Sequence, residues 1–388
     1  MTGPAMSWVH TWTAMPQAAE PDNLPPAPFA GDGVLLADTT LRQTVRVTAG
    51  GDRLRVRLSN AFGGSALPVT AAAVARPVGG RAGVPDICRG SGHTLTFGGR
   101  PAVVVPAGAQ IVSDPVAAPV GPGENLTISV YLAGGQAGPA LTAHPGSRTT
   151  SYLMAGDRHA EAELAGATGV EHWYLISGVE VDCGGPVFAV VGDSLTDGRG
   201  STTDGNDRWP DQLSARKPGV AVVNQAAGGN RVLDDGLGPS VLARLDRDVL
   251  AVSGVDRMLL FAGVNDIGTA PATAAGQDRV TGDLLVAFRQ VVLRAQARGI
   301  RVYGATLTPF GGHDYDDPDG AREATRVAAN DAIRHGRIFD GVADFDAAVR
   351  DPAHPRQLRP AYDTGDHLHL NPAGYGALAG AVPLDWLT

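Results

Sequence analysis

The chain has a single lysine, Lys217, and only two cysteines, Cys88 and Cys183. Two thiols are too few for a disulfide framework or a four-cysteine zinc site, and they are compatible with one bridge or with two free thiols. A formal net charge of -9 leaves no broad basic face, so no nucleic-acid partner is expected. Nowhere do about 18 apolar residues run together, so no helical membrane span is expected. Met1 to Trp8 carry neither a basic patch nor an apolar run, and no signal peptide is read there. The expectation is a soluble protein, cytoplasmic if the chain is full length and secreted if a leader was removed. A Gly-x-Ser-x-Gly elbow is also missing, which argues against the larger α/β-hydrolase fold. What is present suffices for ordered domains. With 388 residues, 43% of them hydrophobic and 18% charged, two domains can each bury a core.

The two halves read differently. Up to about Gly185, short β-branched or alternating runs (Thr44 to Thr48, Leu54 to Leu58, Thr94 to Phe97, Ala102 to Val105, Leu126 to Leu132, Trp173 to Val181) are separated by Gly and Pro clusters. That pattern predicts an antiparallel β-sandwich or jelly roll over residues 1–185. The character changes at Cys183-Gly184-Gly185-Pro186. Beyond it, apolar runs alternate with amphipathic stretches, which predicts β-α units around a parallel sheet over residues 186–388. The predicted strands are Val187 to Val191, Val220 to Val223, Arg257 to Phe261, Val302 to Leu307 and Val342 to Phe345. Helices are predicted over Ala274 to Arg298, from about Gly320 with Ala324, Val327, Ala328 and Ile333 on its apolar face, and from Pro372 behind Asn371 as N-cap.

Four short motifs fall where loops at the carboxyl edge of such a sheet should lie, the edge at which open α/β proteins bind ligands. They are Gly192-Asp193-Ser194-Leu195, Asn224-Gln225-Ala226-Ala227-Gly228-Gly229-Asn230, Gly263-Val264-Asn265-Asp266 and Asp366-His367-Leu368-His369. A serine hydroxyl needs a base to take its proton, and the base needs a partner that fixes its tautomer. Asp366 and His369, three apart, can meet in one turn of chain. The backbone N–H groups of Ser194 and Gly229 and the amide of Asn265 are of the right kind to hold an oxyanion.

In this order the motifs resemble those of the SGNH, or GDSL, hydrolases, over about Val187 to the end. The resemblance implies a three-layer α/β/α, flavodoxin-like domain with a five-stranded parallel sheet, preceded here by the β-domain of a bacterial two-domain branch. It implies Ser194 as nucleophile, His369 as base, Asp366 as its orienting acid, and Ser194, Gly229 and Asn265 as the oxyanion hole. Two adjacent glycines leave Gly228 as an alternative donor. The implied activity is cofactor-free, metal-free hydrolysis of carboxylic esters through an acyl-enzyme. The expected partner is a small-molecule or carbohydrate ester, and the β-domain is a candidate for substrate or glycan binding. The competing readings are a glycan-binding protein with a vestigial hydrolase domain, a lipase, phospholipase or acyltransferase, and a phosphatase built on Asp193, which lacks a second Asp two residues on.

Asp193, Trp209, His313 and Tyr315 are candidates for the substrate pocket. His367 lacks the three-residue relation to Asp366 and ranks below His369 as base. Asp314, Asp316, Asp317 and Asp319 fail the calcium-loop spacing because Pro318 takes a ligand position. Gly198-Arg199-Gly200 lacks the Lys and Ser/Thr of a phosphate loop. Trp8 and Trp12 are read as packing residues, with a sugar-stacking face as the alternative. His10 has no evident partner.

Overall fold

A computed structural model describes residues 7–31 and 33–388. Two compact units divide the chain. One runs to Gly185 and takes in Thr202–Asn206, and the other comprises Pro186–Ser201 and Asp207–Thr388.

The N-terminal unit is built from antiparallel sheets. A four-stranded sheet has the order Val9–Thr13, Ile176–Val181, Leu54–Ser59, Gln110–Val112. A six-stranded sheet has the order Thr168–Val170, Ser151–Ala155, Thr39–Arg46, Asn125–Leu132, Ala71–Ala75, His93–Thr94. Alternation sets the faces. Leu54, Val56 and Leu58 turn into the core, while Arg55 and Arg57 turn out and reach the carboxylate of Glu180 on the neighbouring strand. His10, buried on the strand beyond, lies 3.3 Å from the same carboxylate. Trp12 is buried edge-to-face on Trp173, ring centres 5.0 Å apart, and the Arg55 guanidinium lies 4.6 Å from the Trp8 ring centre.

Val9–Thr13, Ala71–Ala75, Gln110–Val112, Ser151–Ala155 and Thr168–Val170 lie outside the predicted runs, and of Thr39–Arg46 only the end from Thr44 was predicted. Ala71–Ala75 is nearly all alanine, a poor strand former, and is strand because it pairs with Asn125–Leu132. Thr39–Arg46 is rich in polar residues, yet seven of its eight positions are buried because both its faces are covered. The Thr202–Asn206 segment is held within this unit by Asp204, whose carboxylate accepts the N–H of Thr150 at 2.7 Å and its hydroxyl at 3.0 Å. Both cysteines are free and exposed, so the bridge left open by the sequence is not formed.

The second unit is a three-layer α/β/α domain. Five parallel strands (Val187–Gly192, Ala221–Asn224, Val255–Phe261, Arg301–Ala305, Gly341–Ala343) lie in the order second, first, third, fourth, fifth. That is the flavodoxin-like order, with a switch point beside the first strand. The Val187–Gly192 strand is buried on both faces, as its unbroken apolar run requires. Helices Val241–Leu245, Ala274–Gln296 and Ala321–His335 pack together; Trp209–Arg216, Phe345–Val349 and Pro372–Ala381 form the other group. Thr273 caps Ala274–Gln296 and Asn371 caps Pro372–Ala381, each side chain accepting a first-turn N–H.

The expected apolar face of the helix after Gly320 needs correction. Val327 is 53% exposed, and the buried positions are Thr325, Arg326, Ala329, Asn330 and Ile333. A polar network turns this helix: the Arg326 guanidinium meets Asp346 at 2.8 Å, and the Asn330 amide bonds the backbone of Leu307 on both its donor and acceptor sides. Among the described residues no helix is long and apolar enough to cross a membrane.

Candidate active site

The first strand ends at Gly192, where a side chain is impossible: a β-carbon would lie 2.4 Å from Thr196 Oγ1 and 2.6 Å from the Phe261 carbonyl oxygen. The chain then turns at once into the short helix Ser194–Asp197. Asp193 caps it by accepting the Leu195 N–H at 3.0 Å, and Gly198 closes it at φ 95°. This holds Ser194 at the carboxyl edge of the sheet with 6% of its surface exposed. The hydroxyl of Ser194 lies 2.8 Å from His369 Nε2, across 175 residues of sequence.

His369 is oriented from behind. Its Nδ1 is 2.6 Å from Asp366 Oδ2, while Asp366 Oδ1 accepts the N–H groups of His369 at 2.8 Å and Leu368 at 3.1 Å. The carboxylate thus fixes the imidazole with its proton on Nδ1 and its lone pair toward Ser194. Burial opposes the charge on Asp366, but these hydrogen bonds outweigh it and hold the carboxyl well below the usual range. Burial pulls His369 below its ordinary value, against the raising effect of Asp366, so the ring is a free base at neutral pH. His367 belongs to a separate pair, with Nδ1 2.7 Å from Asp363 Oδ2, and stays outside this relay.

The loop 228–230 and the side chain of Asn265 meet at the Asn230 carbonyl. The alternative of Gly228 is removed by its N–H, which donates to Asp197 Oδ2 at 3.0 Å. Gly229, at φ +68°, has an N–H with no partner among the described residues. The Asn265 amide is fixed at both ends: Nδ2 donates to the Asn230 carbonyl at 3.0 Å, and Oδ1 accepts the Tyr315 hydroxyl at 3.0 Å. Its second Nδ2 hydrogen is a further donor. Asn265 sits on the short helix Val264–Thr269, and Tyr315 lies flat on it, since a β-carbon on Gly268 would fall 2.3 Å from its ring.

A buried layer fastens the loops below. Arg244, 2% exposed, donates to the Gln225 carbonyl at 2.6 Å and to Asn230 Oδ1 at 3.0 and 3.1 Å, with Asp248 3.6 Å away. Burial pulls this arginine down to about 10, against Asp248. Asp266 accepts the N–H groups of Val232 and Leu233 at 2.9 Å each, pinning the start of the next loop. Arg244 carried no signal in the sequence, because a lone arginine on a short helix reads as a surface residue.

Residues 190–377 match the family described as GDSL-like lipase/acylhydrolase. The C-terminal domain belongs to this family. Among curated proteins no match is found. Solved structures similar to the chain include a GDSL-like lipase from Bacteroides thetaiotaomicron, 17% identical with a TM-score of 0.37, the match covering 50% of this chain and 84% of that one. Another is an acetylxylan esterase from Geobacillus stearothermophilus, 20% identical with a TM-score of 0.37, covering 51% of this chain and 92% of that one.

Two pocket candidates in the GDSL-like domain need correction. Trp209 has no exposed surface; its Nε1–H donates to Thr196 Oγ1 at 3.2 Å and its ring packs edge-on against Phe345, so it supports the Ser194–Asp197 helix from within the core. Asp193, 1% exposed, is buried and caps that helix. Burial, with repulsion from Asp266 and Asp197, pushes its carboxyl up to about 7 against the Leu195 N–H. His313 does stand near the site: half-buried, edge-to-face with Tyr315 at 4.7 Å, its Nδ1 accepting the Tyr315 N–H. In the acidic loop, Asp317 caps Ala321–His335 and Asp316 pairs with Arg356, and among the described residues no cluster of three or more metal-ligating side chains forms.

Proposed function

We propose that the GDSL-like domain, residues 186–388, is a serine esterase that cleaves carboxylic esters carrying short acyl, aryl-alcohol or O-acetyl carbohydrate groups, through an acyl-enzyme. The observation that carries this reading is the unbroken chain Ser194 Oγ–His369 Nε2–Asp366, at 2.8 and 2.6 Å; the Ser194 and Gly229 N–H groups and the Asn265 amide are the oxyanion donors it calls for. Ser194 Oγ attacks the ester carbonyl while His369 Nε2 takes its proton. The carbonyl oxygen, now negative, is held by the N–H groups of Ser194 and Gly229 and by the Asn265 amide. Collapse breaks the bond to the alcohol oxygen, which leaves with the proton from His369. Water then adds to the acyl-enzyme with His369 again as base, and Ser194 regains its proton as the acid departs.

The pH dependence tests this. His369 must be neutral to act, so activity is lost as pH falls through its pKa and is complete above it. With that pKa lowered by burial, kcat/KM for an aryl acetate is expected to have an acid limb with its midpoint below 6.5 and full activity at neutral pH. A midpoint above neutrality, or a profile flat into strong acid, would sink His369 as the base. Turnover of an aryl phosphate in place of the acetate would favour the phosphatase reading.

A further inference from the structure

We infer that Leu237 is the apolar wall on which the acyl chain of the substrate lies, so that this site selects acyl groups longer than acetyl. The inference rests on the esterase reading above. Leu237 is 52% exposed, in a domain whose large apolar side chains are mostly buried. It is not adrift at a loop tip. Its Cδ1 lies 2.5 Å from the place a β-carbon on Gly229 would occupy, and its Cβ and Cγ lie 3.3 Å from that place. The leucine therefore sits directly on the residue whose N–H faces the oxyanion, filling the space that the missing side chain leaves.

The loop that presents it is fastened along its length. Val232 and Leu233 donate to Asp266 at one end, and Ser240 N–H donates to Asp235 Oδ1 at 2.7 Å at the other. Between them, Gly236 N–H donates to the Gly238 carbonyl at 3.0 Å and Asn230 Nδ2 to the Pro239 carbonyl at 2.8 Å. The exposed apolar surface is thus a fixed feature of the site.

Geometry at the reacting carbon says which part of the substrate meets it. The tetrahedral carbon bears Ser194 Oγ, the oxyanion, the leaving oxygen and the acyl carbon. The leaving oxygen must sit beside His369 Nε2 to receive its proton. That side is polar: the Arg199 N–H donates to the Ser194 carbonyl at 2.9 Å, and the His313 imidazole stands edge-to-face on Tyr315. The acyl carbon is the one substituent without a polar partner, and Leu237, packed on Gly229 beside the oxyanion donors, is the apolar surface offered to it.

The test is a chain-length series with aryl acetate, butyrate and hexanoate, set beside an alcohol series of ethyl, butyl and hexyl acetate. Each buried methylene is worth roughly 4-fold in kcat/KM. Leu237→Ala is expected to lower the hexanoate-to-acetate ratio by roughly 4- to 15-fold, one to two methylenes' worth, and to leave the hexyl-to-ethyl acetate ratio where it was. Leu237→Ser should do the same or more, and an unchanged melting temperature shows that both variants fold. An unchanged acyl ratio, or a drop that follows the alcohol series instead, overturns the assignment while the esterase reading stands. Absence of turnover for every ester by the unaltered protein overturns both.

Discussion

Asp366→Asn is expected to lower kcat for an aryl ester by about 10⁴-fold, with KM little changed. Two jobs of the carboxylate separate in this variant. Its Oδ1 accepts the N–H groups of His369 and Leu368, and an asparagine oxygen still can, so the turn persists. Its Oδ2 accepts the proton on His369 Nδ1 at 2.6 Å, and there an asparagine presents an N–H instead. The ring must then turn its lone pair toward the amide and its proton toward Ser194, the tautomer that cannot act as base. A loss smaller than about tenfold would show that the imidazole is oriented by something other than Asp366.

The next largest effect is expected at Asn265. Removing one oxyanion donor costs about 3 to 4 kcal/mol of transition-state stabilisation, so Asn265→Ala should lower kcat by about 10² to 10³. Tyr315→Phe leaves the donor in place but frees its other end, because the hydroxyl accepted by Asn265 Oδ1 is gone. Loss of a net hydrogen bond worth about 1 kcal/mol predicts a fall in kcat of about fivefold. The double variant separates positioning from packing. If Tyr315 acts through Asn265, Tyr315→Phe should cost nothing further once Asn265 is alanine. Additive losses would mean that the tyrosine serves some other purpose, such as lining the pocket.

These residues were legible in the sequence to different depths, for physical reasons. Ser194, Asn265, Asp366 and His369 sit in short motifs whose chemistry demands those side chains in loops, and each follows a strand or precedes a helix that periodicity reveals. The parallel strands were legible through their apolar runs, most fully the first, because a strand buried on both faces must be apolar throughout, as Val187 to Val191 is. Supports were not legible. Arg244, Trp209 and Tyr315 act through neighbours remote in sequence, and no local pattern distinguishes a buried arginine that donates to Gln225, Asn230 and Gly192 from a surface one. The same blindness turned the helix Ala321–His335, whose buried face is decided by Arg326 and Asn330 finding Asp346 and Leu307, not by its apolar residues. Thr202–Asn206 lies inside the hydrolase stretch of sequence but packs with the other unit, because the partner of Asp204 is Thr150.

Covalent labelling tests the central claim most directly. An alkyl fluorophosphonate reacts with a serine only where a base withdraws its proton and donors hold the developing oxyanion. Intact mass and peptide mapping are expected to find one adduct per chain, on Ser194, absent from the Ser194→Ala variant and slowed when an aryl acetate is present. An unlabelled protein, or an adduct on any other residue, would contradict the account.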